Sequence, residues 1–472
     1  MNRSNLWIHI GLAVVLVTLA AVVGQIERWK SALKTSPVQI ERVDPARAGK
    51  TRGLAGTPEV LVRFKPGTGL EAIRAIASSR HDVVTDEIEA VSGLVEINDL
   101  EDASPEKVAA EYAALESVEY AEPNYRINLD DPASEPKRMD LVERVGSAAT
   151  PNDPLFGDQW ALNNSGQDGG KARADLGALV AWEKTRGNSD VVIAVLDTGV
   201  DYTHVDLREN MWIRPANLAA YTDDELGTYN DLNGFNGTDQ AADPMDDNGH
   251  GTHCAGIIGA EGNNGEGITG INWKVKIMPL KFLGRGGFGN TDDAIEAINY
   301  AIDRKKKGVN IRVISASWGS TQRSKALEDT IRAAGEAGIL FVAAAGNDGS
   351  NNDSRPHYPS NYKLPNVISV AALDRNDKLA SFSNYGAETV HVAAPGKDIL
   401  STWLGEGYRE ASGTSMATPY VSGIAALVVA AEPAITLEEL RARIIGSVDK
   451  LDSLSGKVAS GGRICAEKAV GQ

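Results

Sequence analysis

The chain has 472 residues, 42% hydrophobic and 24% charged, with 48 glycines. That composition is globular, neither disordered nor collagen-like, and the length favours about two to three folded units. A formal charge of −17 argues against a nucleic-acid partner, which needs a basic face, and leaves solubility and cation binding as uses for the acidity.

In chain order, Trp7 to Val23 comes first, apolar apart from His9 and Thr18. Its length lies between a signal-peptide core and a spanning helix. Ala20, Ala21 and Gly24 suit cleavage after Gly24, whereas Arg28, Lys30 and Lys34 suit a retained anchor. Residues 1–24 are expected to direct export, giving a secreted or extracytoplasmic protein, with release and a membrane tether both open. Residues 25–56, rich in Arg, Lys, Gly and Pro without sustained periodicity, read as a linker.

Residues 57–128 alternate strand and helix signals. Glu59–Phe64 reads as a strand, Leu70–Ser79 has helical spacing, and a strand is expected near His81–Thr85. Gly93–Ile97 is another strand, Pro105 opens a helix over Glu106–Leu115, and Val118–Ala121 closes the unit. The order β-α-β-β-α-β is the split pattern of ferredoxin-like α+β units. A small domain with its own ligand would have the same order, so fold alone does not assign a role. Residues 129–150 are polar and contain Pro132 and Pro136, an exposed linker of the kind where proteolysis concentrates.

Residues 151–472 form the third unit. Short apolar strands are expected at Val191–Leu196, Lys276–Leu280, Val313–Ala316, Leu340–Ala344 and Val367–Val370. Helical patterns over Thr291–Asp303 and Ala326–Ala337 lie between them. Fully apolar strands alternating with helices predict an α/β fold whose parallel sheet is covered on both faces.

Three words carry the chemistry. Val195-Leu196-Asp197-Thr198-Gly199 puts a carboxylate at the end of a strand, where open α/β sheets place their sites. His250-Gly251-Thr252-His253 opens a small-residue helix. Gly413-Thr414-Ser415-Met416-Ala417-Thr418-Pro419 sets a serine at the start of an apolar helix running to Ala431, with Pro419 expected within its first turn. Alone, each word has a plainer reading: a turn Asp, a packed His, an N-cap Ser. Together they supply an acid, an imidazole and a hydroxyl, the parts for activating a serine nucleophile. The same Asp-Thr-Gly occurs in aspartic proteases, but those need two such carboxylates close together, and this chain has one. His-x-x-His lacks the four-residue spacing and glutamate of helical zinc sites. An α/β-hydrolase esterase would want Gly-x-Ser-x-Gly and the order Ser, Asp, His, and neither surrounds Ser415.

In these words and their order the chain resembles the subtilisin-like serine proteases, the subtilases. The resemblance implies a subtilisin-like catalytic domain preceded by a ferredoxin-like propeptide. It gives Ser415 the role of nucleophile, His250 that of base, and Asp197 that of orienting the imidazole. Asn347, in Ala343-Ala344-Ala345-Gly346-Asn347, would share the oxyanion with the Ser415 N–H. An extended peptide would lie between Gly287-Phe288-Gly289 and Ser317-Trp318-Gly319, with Ala344, Ala345 and Gly346 completing the specificity pocket. Trp318 has an equally good reading as a core residue, and His357 would stand near the pocket floor. No acid in these segments selects a basic side chain.

The resemblance also implies structural calcium at Asp153, Asp206, Asn264, Glu266 and Ile268, although an Asn-Gly loop is commonly only a turn. Asn230–Phe235 with Asp243, Asp246 and Asp247 is either a second ion site or a solvated insertion. Cys254 lies where some subtilases carry a free thiol beside the active site, and a bridge between Cys254 and Cys465 stays open. Val118–Tyr125 resembles the close of an inhibitor-like propeptide, which implies a zymogen plugged by its own strand and self-cleaved in the linker after Tyr125. Protein or peptide substrates and a monomer are expected. The rival reading is a catalytically weak subtilase-fold binding or scaffold protein.

Overall fold

The computed structural model describes residues 60–101, 103–129, 134–138, 150–223, 227–238 and 243–471. The expected export segment, the first linker and most of the second lie outside these residues.

The N-terminal α+β unit is a four-stranded antiparallel sheet in the order Asp82–Glu87, Leu94–Asp99, Val60–Phe64, Val118–Pro123. Helices Leu70–Ser79 and Pro105–Ala113 connect its strands, the second with Pro105 at its start and the Ser104 hydroxyl accepting from the Lys107 amide. The sheet has two apolar faces. Val60, Val62, Val95 and Ile97 pack on the unit's own helices. Leu61, Ile88, Val91 and Leu94 belong to the core of the large domain.

The large domain holds a nine-stranded sheet. Its order begins Phe235–Asn236, Lys274–Lys281, Gly187–Asp197, Ile311–Ala316 and Leu340–Ala344. It continues through Val367–Leu373, Val392–Pro395, Gly462–Ile464 and Val448–Lys450, parallel except for the last pair. The strand side chains alternate between two cores, as a pleat requires. Val191, Ile193 and Val195 face the helices His250–Gly259 and Thr414–Ala431. Val192, Ala194 and Leu196 face Thr291–Lys306 and Lys325–Glu336. The expected parallel α/β sheet, covered on both faces, is what the chain forms. Thr414–Ala431 is long and apolar enough to cross a membrane but is 89% buried, a core helix.

The linker departs from expectation at one place. Ser134–Arg138 is a strand on the edge of the hairpin Ile399–Trp403/Gly407–Ser412, with Ser134 opposite Ser412.

Candidate active site

Asp197 is the last residue of its strand and fully buried. His250 is the first residue of its helix, and Gly251 brings that helix close. A Cβ on Gly251 would collide with the Gly199 carbonyl and come within 3.2 Å of the Asp197 carboxylate. The imidazole Nδ1 thereby reaches Asp197 Oδ1 at 2.8 Å, and the same oxygen accepts from the Thr198 amide at 2.7 Å. Burial opposes a charged imidazole, but the Asp197 carboxylate and the Cys254 thiol outweigh it and hold His250 well above the usual histidine range.

Asp246 locks this pairing, a role sequence reasoning missed. Its carboxylate accepts from Thr198 Oγ1 (2.9 Å), the amides of Asn248 (2.9 Å), Gly249 (3.0 Å) and Thr252 (3.0 Å), and Thr252 Oγ1 (2.6 Å). One carboxylate thus ties the end of the Asp197 strand to the start of the His250 helix, where a negative charge also suits the helix dipole. Its oxygens are consumed by these donors, so the second-ion reading does not apply to Asp246. Asp231, from the same acidic stretch, pairs with Arg214 and Arg304 and accepts from Tyr300. The available signal was the position of Asp246-Asp247-Asn248-Gly249 directly before a helix start.

Ser415 is the second residue of its helix and 4% exposed. Its Oγ donates to the Ser317 carbonyl at 3.0 Å, and Ser317 Oγ donates back to the Ser415 carbonyl at 2.9 Å. Pro419 explains the second bond. It is the sixth helical residue, beyond the first turn where it was expected, so its missing N–H leaves the Ser415 carbonyl without a helical donor. Ser317 Oγ and, at 3.5 Å, Cys254 Sγ take that place. Cys254 Sγ also lies 4.0 Å from His250 Nδ1, so one buried thiol borders both His250 and Ser415. The serine hydroxyl's hydrogen bond here goes to Ser317. Both cysteines are free and buried, and burial raises the Cys254 thiol.

Asn347 is oriented by Thr414, whose amide (2.8 Å) and hydroxyl (3.0 Å) both donate to its Oδ1. Gly413 shows what its Nδ2 faces. A Cβ on Gly413 would stand 3.3 Å from Asn347 Nδ2 and 3.5 Å from the Ser415 amide nitrogen. The glycine keeps open a space flanked by two N–H donors. His253 takes no part: its Nε2 sits between the carbonyls of Ile399 (3.1 Å) and Arg409 (3.0 Å), and burial lowers it to about 3.

The chain's own segment Arg126–Asn128 lies in the cleft. It pairs antiparallel with Phe288–Asn290, Asn128 bridges to Gly319, and the Leu129 amide donates to the Gly287 carbonyl at 2.7 Å. Arg126 stacks its guanidinium 3.9 Å from the Phe288 ring. Gly287 has a φ of 73°, and a Cβ there would press on Leu129 at 3.1 Å. The Trp318 indole is fully buried and donates to the Leu196 carbonyl at 2.9 Å, so only its backbone borders the cleft. Ala344 and Ala345 are buried beside Gly346, whose amide donates to Thr414 Oγ1 at 3.1 Å. A Cβ on Gly319 would collide with the His357 ring, and one on Gly346 would come within 3.0 Å of it.

The five expected calcium residues are drawn together. Asp153 accepts from the amides of Asn263 (2.8 Å) and Asn264 (3.3 Å). Asp206 accepts from Asn264 Nδ2 (2.8 Å) and the Ile268 amide (2.9 Å), and Asn264 Oδ1 accepts from the Glu266 amide (2.8 Å). Burial raises Asp153 to about 7 and Asp206 to about 6, with each affected by a neighbouring carboxylate. Two crowded carboxylates costly to ionise suit a hard cation.

The family model described as "Subtilase family" matches residues 188–461. A thermophilic serine proteinase of Bacillus sp. strain AK1 is 36% identical over 414 residues, covering 87% of this chain and 87% of that one. Thermitase of Thermoactinomyces vulgaris is 37% identical over 321 residues, covering 68% of this chain and 99% of thermitase. The crystal structure of fervidolysin from Fervidobacterium pennivorans matches with a TM-score of 0.65 at 24% identity, over 89% of this chain and 61% of that one, a likeness of fold. The chain therefore belongs to the subtilase family and is a subtilisin-like serine protease, a hydrolase.

Proposed function

We propose that this protease is an exported endopeptidase made as a zymogen, working through Asp197, His250, Ser415 and Asn347. The Ser415 hydroxyl leaves Ser317, passes its proton to His250 and bonds to the substrate carbonyl carbon. The carbonyl oxygen becomes an anion between Asn347 Nδ2 and the Ser415 amide. His250 then gives the proton to the leaving nitrogen, and water later releases the acyl group by the same route. Asp197 stabilises the charged imidazole. Asn347→Leu is expected to fold and to keep KM while turnover falls about 10²–10³-fold, the scale of this loss in subtilisin; steady-state kinetics on a peptide substrate checks it, and unchanged turnover removes Asn347 from the mechanism.

The observation that carries the zymogen reading is the strand Arg126–Asn128 between Phe288–Asn290 and Gly319. Strand addition of this kind holds a peptide by its main chain, so the N-terminal unit occupies the line a substrate would take. The unit is anchored by capping two helices: Glu122 accepts from Ser324 Oγ (2.5 Å) and the Lys325 amide (2.8 Å), and the Tyr125 carbonyl accepts from the Thr291 amide (2.9 Å). Leu129 is bonded to Gly287, and Ser134 pairs with Ser412, three residues before the nucleophile. These two holds bracket the proposed self-cleavage between Leu129 and Ser134. Mass spectrometry of the processed N-terminus tests the bracket, and a terminus outside it refutes the register.

Asp153, Asp206, Asn264, Glu266 and Ile268 are proposed to hold structural calcium, which would supply charge neutralisation at that loop and no step of the reaction. Chelation is expected to lower the melting temperature by roughly 5–10 °C, on the scale of a site filled to a hundred times its Kd. The drop should be larger above neutrality, where both carboxylates are charged, than in mild acid. An unchanged melt counts against the site.

A further inference from the structure

A second group of carboxylates, remote from the expected calcium loop, lies where the N-terminal unit meets the large domain. Asp86 comes from the edge strand of the N-terminal sheet, Asp223 from a short hairpin of the large domain, and Glu296 from the helix Thr291–Lys306. One oxygen of each lies within 4.8 Å of the others. All three are buried, Asp86 completely. Apart from a proton shared between Asp86 and Glu296 themselves, no donor among the described residues reaches either oxygen of Asp86 or either oxygen of Glu296.

Such an arrangement is expensive as it stands. A buried carboxylate without a donor forfeits its hydration and gains nothing in return. Asp86 also stands opposite Glu96 in the sheet register, a like-charge cross-strand pair that destabilises a ladder. The charges bearing most on Asp86 and Glu296 are carboxylates: each other, Glu89, Glu96 and Asp223. Neighbouring carboxylates in this protein are compensated by cations or amides; Asp231 has Arg214 and Arg304, and Glu122 has two helix amides.

We propose that Asp86, Asp223 and Glu296 hold a hard divalent cation of the calcium class, with Glu89 and Glu96 in the surrounding shell. The donor set is all oxygen, and calcium accepts six to eight oxygens in irregular geometry, where zinc would want nitrogen or sulfur. Because Asp86 belongs to one part of the chain and Asp223 and Glu296 to the other, the ion clamps the N-terminal unit onto the large domain. Calcium then tightens the hold of that unit, and its removal leaves a repulsive seam. The site stands on these side chains and does not depend on how the cleft residues react.

Tyr221 supplies a spectroscopic reporter. It is buried beside the cluster, with its hydroxyl 3.4 Å from Asn299 Nδ2, which also donates to Glu89. The test uses the full-length Ser415→Ala chain, so that the two parts stay joined whether or not the wild type cleaves itself. Asp86→Asn and Glu296→Gln, made separately in that background, keep size while removing charge. After equilibration with Ca²⁺ and desalting, each is expected to retain one calcium fewer per chain than its parent by elemental analysis. Equal calcium content in folded variants overturns the proposal. Should either variant fail to fold, Tyr221→Phe leaves the carboxylates intact. Tyrosine-sensitised Tb³⁺ emission is then expected to fall with the bound-ion count unchanged, and undiminished emission overturns the proposal.

Discussion

Ser415→Ala is expected to cut peptide turnover about 10⁶-fold, the scale of the corresponding loss in subtilisin, and to leave the chain full length. The two outcomes share one cause. Nothing else in the cleft can replace the hydroxyl: Cys254 is buried, burial raises its thiol, and its sulfur is engaged with the Ser415 carbonyl. The Ser317 hydroxyl is likewise turned away, toward the Ser415 carbonyl. The residual rate over water would come from the two N–H groups that flank Gly413 and from binding alone. Electrophoresis of the purified variant and single-turnover kinetics check both halves. A processed Ser415→Ala chain assigns maturation to another protease, and an active one removes Ser415 as nucleophile. Labelling of the wild type by a serine-directed phosphonate, absent in the variant, separates a protease from a catalytically weak scaffold.

Asp197→Asn should have the second-largest effect, about 10⁴ in turnover, with a pH signature that a merely structural residue would not give. In the wild type the carboxylate beside Nδ1 helps hold His250 well above the usual histidine range, against the opposing pull of burial. A general base must be neutral, so the acid limb of kcat/KM is expected on the alkaline side of an ordinary histidine. With the carboxylate replaced by an amide, burial dominates and the limb moves to lower pH while the plateau falls. The stability sign is the reverse of the activity sign. A histidine raised in the folded state contributes stability that is full below its unfolded value and lost as pH rises through the folded one. The deprotonation that readies the base therefore gives up part of the fold's own ion pair. A pH–rate profile in which the limb stays in place would take Asp197 out of the proposed role.

Much of this architecture was legible because it is written in local patterns. The apolar run Val191–Leu196 reads as a buried strand, and all of its residues are buried, divided between two cores. The strand itself is longer, starting at Gly187, because Asn188, Ser189 and Asp190 are polar and extend beyond the apolar stretch. Leu70–Ser79 has the bounds that its spacing implies. What stayed hidden depends on contacts between distant parts of the chain. The segment Asp82–Glu87 reads Asp-Val-Val-Thr-Asp-Glu, a polar-ended strand with nothing to mark Asp86, and only its packing against the large domain buries that carboxyl beside Glu296. Asp246 looked like an ion ligand because its neighbours are acidic; the fold spends its oxygens on a helix start. Trp318 could not be assigned from its neighbours, since cleft walls and cores both favour aromatics, until Phe282 and the Leu196 carbonyl were beside it.

The wall at Ser317-Trp318-Gly319 is fastened at two points to the machinery it borders. Its serine exchanges hydrogen bonds with Ser415, the proposed nucleophile, and its tryptophan is pinned to the carbonyl of Leu196, the residue before Asp197. In the proposed mechanism, selectivity and reactivity are in consequence mechanically linked. Engineering that changes residue 317 or 318 to retune which peptides are cut should therefore disturb the alignment of the cutting groups as well.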